Sequence, residues 1–432
     1  MEKVKNIDDP GQYRAWYIYD WADSAYFTTV IAAFLPVYFV KTIVPKEGVE
    51  VFGHILQGQT LWAYCFSLVT FVNFITLPFL GRISDLSNSK KYFMSLFVIF
   101  GGISCLTFYD IGAGKVWQSL ATLFICQVCS ISALVFYQGF LPQIASNKKI
   151  SEVALRGSAI GFFGGGVQFA LSVAIVMMRK KLGISLDEAT RIGLAFAGLW
   201  WLAFGLLSIW KLKEEEYHIE KKINFENVFV ELWLTLKKIY KDKPFMTYLI
   251  AYFFFIDGVQ ASISLTAVYA AQTLKLPSEK IMMVFLMIQF LSFAGSHLFR
   301  VVDQKLGSKN TLWICVFVYT LACYMVSEIP EGNFQVFAGL AVIVGLCQGG
   351  IYPISRAVFA RLIPPKDGAQ YFGFFSVFSK FSAIWAPLVY ALLVDLTGSG
   401  RWGVKGILIF LILGLLVLTK VDLKSKTELA AA

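Results

Sequence analysis

Five charged residues interrupt stretches that are otherwise apolar: Asp20, Asp23, Asp257, Arg356 and Lys380. A charged side chain at the bilayer centre costs roughly 2.5–3.5 kcal/mol on insertion scales, so each needs a partner, water or a function. At about 1.5 Å per helical residue, depth sorts them. Asp257 and Lys380 fall nearest the centres of their apolar runs, and Asp20 and Asp23 lie toward one end. Arg356 is close enough to an end to reach the surface. Polar neighbours at helical spacing extend these charges into faces: Asp20 with Asp23, Asp257 with Gln260 and Ser264, Gln348 with Tyr352 and Arg356, and Ser376 with Ser379 and Lys380. Two readings stay open for Asp257 and Lys380. They form a structural ion pair that lets both charges be buried, or they contact a solute or its coupling ion. Carboxylates can carry a proton or a sodium ion, and Lys380 and Arg356 can meet an anionic group. A site with both signs suits a zwitterion such as an amino acid.

Other chemistry finds no residue set. Cys126 and Cys129 have redox-like spacing, but all seven cysteines lie in apolar stretches and no histidine completes a tetrahedral metal site. The three histidines, His54, His218 and His297, are scattered. Gly157, Gly161, Gly164, Gly165 and Gly166 suit close helix packing; no Walker lysine follows them as a phosphate cradle requires. No hydrolase, zincin or kinase motif is present. The chain is therefore expected to be no enzyme and to need no metal or cofactor beyond a coupling proton or sodium ion.

The elements that position these residues follow from composition. Of 432 residues, 57% are hydrophobic and only 15% charged, against about a quarter charged in an ordinary soluble domain. Such a chain needs lipid as solvent, and lipid demands internally satisfied backbone, hence helices or closed barrels. The long continuous apolar runs select helices. Spans are expected near 15–40, 58–80, 92–110, 117–140, 157–178, 192–210, 245–272, 281–299, 311–327, 334–359, 370–396 and 403–419. Six plus six, joined by one long polar connection, predicts an all-α membrane protein: an N-terminal half at 1–210, a linker at 211–243 and a C-terminal half at 244–432. With the N-terminus cytoplasmic, inside loops and tails hold 25 of the 38 lysines and arginines, which predicts that both termini lie inside. The net charge of +10 thus reflects membrane sidedness and not nucleic acid. Met1–Gly11 has no signal-peptide pattern, so the first span is expected to target the chain. In the linker, Phe225, Val228, Phe229, Leu232, Trp233, Leu236, Ile239 and Tyr240 recur at helical spacing, predicting an amphipathic helix on the inner membrane surface; a partner-binding helix is the other reading.

The halves echo each other. Tyr137-Gln138-Gly139 in the fourth span answers Cys347-Gln348-Gly349-Gly350 in the tenth, and Asp23 answers Asp257. This predicts a duplicated architecture with a central cavity. After the second span come Gly81, Asp85, Lys90 and Lys91, resembling the major facilitator loop signature. There a glycine allows close helix approach and a carboxylate can meet a helix N-terminus. The second half has a partial copy from Arg300 to Lys309, with Asp303 and Gly307 and one extra residue before the glycine. These are the candidate gating-loop residues.

The opening Trp16-Tyr17-Ile18-Tyr19-Asp20-Trp21-Ala22-Asp23-Ser24-Ala25-Tyr26 resembles the "unknown major facilitator" family, related to the fungal vacuolar amino-acid effluxer of autophagy. The resemblance continues through Asp257-Gly258-Val259, Gln348-Gly349-Gly350, Ser355-Arg356, Phe359–Pro365, Phe372–Phe375, Lys380-Phe381 and Leu396–Ser399. It departs at Asp23, where that family usually carries asparagine, and this suggests an added cation or proton site. The resemblance implies the major facilitator fold and solute transport by alternating access. The expected partners are a small solute and the bilayer, the expected state a monomer, and the expected location a bacterial inner membrane. An exporter of organic anions or drug-like compounds, or a transporter-like solute sensor, are the alternative functions.

Overall fold

A computed structural model of the chain describes residues 7–214 and 225–422. The first span opens with α1 (Pro10–Ala25), whose N-terminus carries Pro10 at its first position and Asp9 as cap, accepting the Gly11 N–H at 2.8 Å. Wide π-type turns follow over Tyr26–Phe34, then α2 (Leu35–Tyr38) and a second π stretch, Phe39–Ile43. Pro36 cannot donate the helical hydrogen bond expected there, and local adjustment of the ladder around such a residue is how a membrane helix tolerates it. A small antiparallel hairpin, β1 (Val49–Val51) with β2 (His54–Leu56), leads into α3 (Gly58–Leu86). The next four helices are α4 (Lys90–Leu106), α5 (Val116–Ile144), α6 (Ile150–Leu182) and α7 (Leu186–Lys211). The linker helix is α8 (Phe225–Lys241). Four spans then follow in α9 (Lys243–Gln272), α10 (Ser278–Ser327) and α11 (Phe334–Leu362), a fifth is divided between α12 (Gly368–Ser382) and α13 (Trp385–Thr397), and α14 (Gly400–Thr419) is the last. Counting α10 as two, these are six spans.

Eleven helical stretches among the described residues are long and apolar enough to cross a membrane. The stretch Met283–Ser327 holds two spans in series, so the chain is an all-α integral membrane protein of about twelve spans. Sequence reading expected a loop over 300–310 between these two. Helix instead continues on both sides of Gly307, which alone leaves helical geometry at φ 76° and ψ 159°. Only glycine takes that backbone without strain.

The eleventh span departs further from expectation. A single helix over 370–396 was expected, and the helix breaks between Ser382 and Trp385. Pro387 supplies the cause: it has no N–H, and its ring collides with the carbonyl four residues back, at Ala383. The break lies three residues after Lys380.

By compactness the chain divides into two units. The first comprises Met1–Ile144, Ile160–Lys222 and Lys366–Gly373; the second comprises Ala145–Ala159, Ile223–Pro365 and Phe374–Ala432. Each is largely one six-span half, and each takes in a short piece of chain from beyond it. In the first unit the core gathers around Tyr26, Phe108, Cys126 and Trp201, all essentially inaccessible. Helix α6 lies directly on α1 there. A Cβ at Gly161 would fall 2.8 Å from Ser24 Oγ, and one at Gly164 2.7 Å from the Trp21 ring, so the fifth-span glycines do serve close packing. In the second unit α10 meets α11 backbone to backbone: a Cβ on Gly349 would lie 2.1 Å from the Ser292 carbonyl oxygen.

In α8 the expected single apolar face is split. Leu232, Thr235 and Ile239 are buried, while Trp233, Leu236 and Tyr240 stay exposed, with Lys237 5.4 Å from the Trp233 ring centre. Aromatic side chains left bare beside lysines suit a headgroup boundary. The side chains of Phe225, Val228 and Phe229, and His218 entirely, lie outside the described residues.

Candidate functional site

In the first unit, α1 presents a ladder of polar side chains to its neighbours. Asp20 is buried and Asp23 half-buried. Ser130 on α5 donates to Asp23 Oδ1 at 3.3 Å. One turn on, Tyr26 donates to Gln127 Oε1 at 3.0 Å, and beyond it Thr29 meets Gln168 on α6, which donates to Ser172 Oγ at 3.0 Å. Ser132 on α5 donates to Asn73 Oδ1 on α3 at 3.3 Å. Stacked rings fix the frame: Tyr137 lies 4.4 Å from Trp16 and 4.6 Å from Tyr19, and the Trp16 indole donates to the Tyr137 carbonyl at 3.0 Å. Sequence reasoning named Asp20 and Asp23 but missed Asn73, Gln127, Ser130 and Gln168. Their signal was present, since each is a hydrogen-bonding side chain inside an apolar run.

In the second unit, Asp257 and Lys380 do not pair. The Asp257 carboxylate is wholly inaccessible, and its Oδ2 accepts the backbone N–H of Ala386 at 2.9 Å. Ala386 is in the first turn of α13, so Asp257 caps the half-helix that begins at the break, where orphan amides and the positive end of the dipole face it. Oδ1 of the same carboxylate is buried and has no hydrogen-bond partner among the described residues. No ion pair to Lys380 occurs among the described residues; the ion-pair reading of these two charges is corrected to a helix cap on one side and an uncompensated cation on the other. Lys380 is half-buried near the end of α12. Beside it Gln260 Nε2 donates to Ser379 Oγ at 3.2 Å, holding α9 to α12. Aromatic rings flank the same helix: Phe375 lies 4.2 Å from both Tyr252 and Phe359. On α11, Gln348 is buried, and Tyr352 and Arg356 are half-buried. Tyr248 donates to the Ser355 carbonyl at 2.7 Å, tying α9 to α11.

The loop after α3 is built around Asp85, which is 5% exposed. Its Oδ1 pairs with Lys90 Nζ at 2.6 Å and accepts the Ala369 N–H at 3.3 Å; its Oδ2 accepts the Gln370 N–H at 2.8 Å. The carboxylate therefore meets the N-terminus of α12, within the first unit. Gly81 makes the approach feasible, since a Cβ there would stand 2.6 Å from the Ala369 carbonyl oxygen. Arg82 adds an ion pair to Asp367 at 2.9 Å. Lys91 Nζ donates to the Leu212 carbonyl at 2.8 Å, at the end of α7, and Glu214 accepts the N–H groups of Lys90 and Lys91 at 2.6 and 3.1 Å, capping α4. The second copy is wired differently. Arg300 reaches Glu152 at 3.5 Å, Ser308 donates to Ser151 Oγ at 3.2 Å, and Asp303 Oδ1 is buried without a partner. Arg82, Asp367 and Glu214 were not foreseen.

All seven cysteines are buried and free. Among the described residues no cluster of histidine, cysteine, aspartate or glutamate could hold a metal ion.

Comparison with known proteins places this arrangement. The family described as "Vacuole effluxer Atg22 like" matches residues 9–431. An uncharacterized MFS-type transporter of Bacillus subtilis, YxiO, is 28% identical over 97% of this chain and 96% of its own. Autophagy-related protein 22 of Kluyveromyces lactis is 23% identical over 95% of this chain and 93% of its own. Among solved structures, the major facilitator superfamily transporter FucP in its outward conformation superposes with a TM-score of 0.72 at 12% identity, covering 96% of this chain and 99% of that one. The human organic anion transporter MFSD10 gives 0.72 at 12%, covering 97% and 100%. These likenesses establish the fold. With the family match spanning almost the whole chain, the protein belongs to the Atg22-like family of major facilitator superfamily secondary transporters, and it is an integral membrane carrier of small solutes, not an enzyme.

Proposed function

We propose that the protein moves a small solute bearing a carboxylate, in the simplest case an amino acid, by alternating access coupled to a proton or sodium ion. One observation carries this reading: Lys380 lies beside the break in the eleventh span with no acid partner among the described residues, while Asp257 is committed to the Ala386 amide. A cation placed in a span at roughly 2.5–3.5 kcal/mol needs a counter-charge, and a solute carboxylate can supply it. A charge-assisted hydrogen bond to Lys380 would then form only while solute is bound. Gln260 and Ser379, already joined beside it, and Arg356, Gln348 and Tyr352 on α11 furnish further polar contacts. Asp20 and Asp23 serve the coupling ion, with Ser130 orienting Asp23. The loop carboxylate Asp85, capping α12, holds one conformation; release of that cap accompanies the change of access.

The family's description as a vacuole effluxer, and the fungal relatives named for autophagy, support an amino-acid cargo. The basic loops support an orientation with both termini and the linker inside, and the Bacillus subtilis relative supports a bacterial inner-membrane location. A cysteine placed at Lys238 on a cysteine-free background should resist a membrane-impermeant reagent applied outside, while one at Lys46 reacts; the reverse pattern defeats that orientation. The substrate reading is tested by counterflow in vesicles reconstituted with the purified protein, preloaded in turn with neutral amino acids, dicarboxylates and sugars. Exchange of amino acids is the expected result. Exchange of dicarboxylates alone turns the reading to organic-anion export, and exchange of sugars alone overturns it.

A further inference from the structure

A second candidate binding site lies in the first unit, away from every residue discussed above as contacting solute. Arg14, Tyr17, Ile18 and Trp21 form one stripe of α1, and with Phe204 and Leu207 of α7 they line a groove of about 360 Å³ whose walls are almost wholly apolar. The stripe runs seven residues, about 10 Å along the helix axis. Its deep end is a rigid aromatic floor: Trp21 stacks on Trp200 at 5.5 Å and meets Phe204 edge-on at 6.1 Å, and Trp200 donates to the Trp21 carbonyl at 3.3 Å. Its mouth is basic. Arg14 is exposed there, and α1 is fastened at that level to the end of α7, where Gln12 Oε1 accepts the Lys213 N–H at 2.7 Å and its Nε2 reaches the Lys211 carbonyl at 3.4 Å. Lys211 and Lys213 are both exposed. Among the described residues no carboxylate lines the groove. Three described acids close to the mouth in sequence are engaged elsewhere: Asp8 accepts the Tyr13 hydroxyl, Asp9 caps the start of α1, and Glu214 caps α4.

An apolar slot with Arg14 at one end, and with the exposed Lys211 and Lys213 following on the helix that forms its other wall, matches the shape and charge of one kind of occupant. We propose that this groove binds one anionic phospholipid, its phosphate held by Arg14 with Lys211 and Lys213 and an acyl chain laid along Ile18, Leu207 and Trp21. Juxtamembrane lysines and arginines attract anionic headgroups, and the arginine fork adds a directed contact to phosphate. Because α1 carries Asp20 and Asp23 on another face and α7 carries its supporting rings, an occupied groove braces the helix on which the polar ladder stands.

The test compares melting of the purified protein in detergent with added dioleoyl phosphatidylglycerol or dioleoyl phosphatidylcholine, and counts retained lipids by native mass spectrometry. Wild type should melt several degrees higher with phosphatidylglycerol and keep at least one such lipid. Arg14→Gln should bind it about fivefold more weakly and lose most of the difference. Leu207→Trp, which fills the slot, should lose it as well, and Lys46→Gln, at a distant loop, should keep it. Should Leu207→Trp express poorly, the loss of one retained lipid in Arg14→Gln carries the test. The proposal is overturned if wild type prefers neither lipid, if Arg14→Gln retains the full preference, or if Lys46→Gln loses as much as Arg14→Gln does.

Discussion

Substituting Asp257 separates a helix cap from an ion pair. The Ala386 amide that its Oδ2 accepts at 2.9 Å is buried, and in lipid no water replaces a lost acceptor. Asp257→Leu removes both the acceptor and the charge at the head of α13. A stranded buried donor costs about 1–3 kcal/mol, and a missing cap about 0.5–2 kcal/mol. These overlap, so a net loss of about 2–3 kcal/mol is expected. Asp257→Asn keeps an acceptor in place and loses the charge–dipole attraction, about 0.3–1 kcal/mol, offset because a charge no longer has to be buried, while its NH2 group takes the unpartnered place of Oδ1. An ion pair with Lys380 predicts otherwise. Either substitution would then strand a buried lysine at about 3–5 kcal/mol, and Lys380→Gln would restore the loss. The assay is thermal melting in detergent of Asp257→Asn, Asp257→Leu, Lys380→Gln and the two doubles. The cap predicts asparagine near wild type, leucine well below it, and additivity within about 0.5 kcal/mol. Equal losses for asparagine and leucine, rescued by Lys380→Gln, would refute the cap.

Three further outcomes follow from the same geometry. Asp85→Asn strands Lys90, which is 1% exposed, and should cost about 3–5 kcal/mol in melting stability, with Lys90→Met restoring much of it; no loss means the pair is not buried in the folded protein. Gly349→Ala places a methyl group 2.1 Å from the Ser292 carbonyl oxygen, and the forced separation of α10 from α11 should cost at least about 1–3 kcal/mol and lower folded yield. Asp23→Asn should leave folding and solute binding intact and weaken ion-driven accumulation, and Ser130→Ala should weaken it less; unchanged ion dependence in Asp23→Asn removes that carboxylate from coupling.

The spans were legible because lipid makes one demand, twenty apolar residues with satisfied backbone, and the sequence meets it about twelve times over. Where the chain breaks that pattern without polar residues, legibility failed. The interruption at Ala383 and Ile384 leaves hydropathy unchanged, and only Pro387 signals it, through the carbonyl four residues earlier. Gly307 was the opposite case: charged neighbours suggested a loop, while a single residue makes the turn. At the site, depth along a helix was readable and azimuth was not. Asp257 and Lys380 share a depth by counting, yet a backbone amide of α13, created by the unseen break, takes the carboxylate. The loop after the second span was foreseen to set Asp85 against a helix N-terminus, but which helix depends on chain segments nearly three hundred residues apart. Gln127 and Gln168 went unremarked because uncharged amides cost less to bury and stand out less beside aspartates.

The central claim is that Lys380, which has no acid partner among the described residues, awaits a solute carboxylate. It is tested most directly by solute affinity and counterflow in Lys380→Gln, Lys380→Arg and wild-type protein reconstituted in vesicles, each first checked for folding by its melting curve. The account predicts that Lys380→Gln melts near wild type, because no acid is stranded, and loses amino-acid binding at least about tenfold, as expected when a charge-assisted contact of about 1.5–3 kcal/mol is removed. Lys380→Arg should recover part of the affinity. A Lys380→Gln protein that binds and exchanges the solute as wild type does would contradict it.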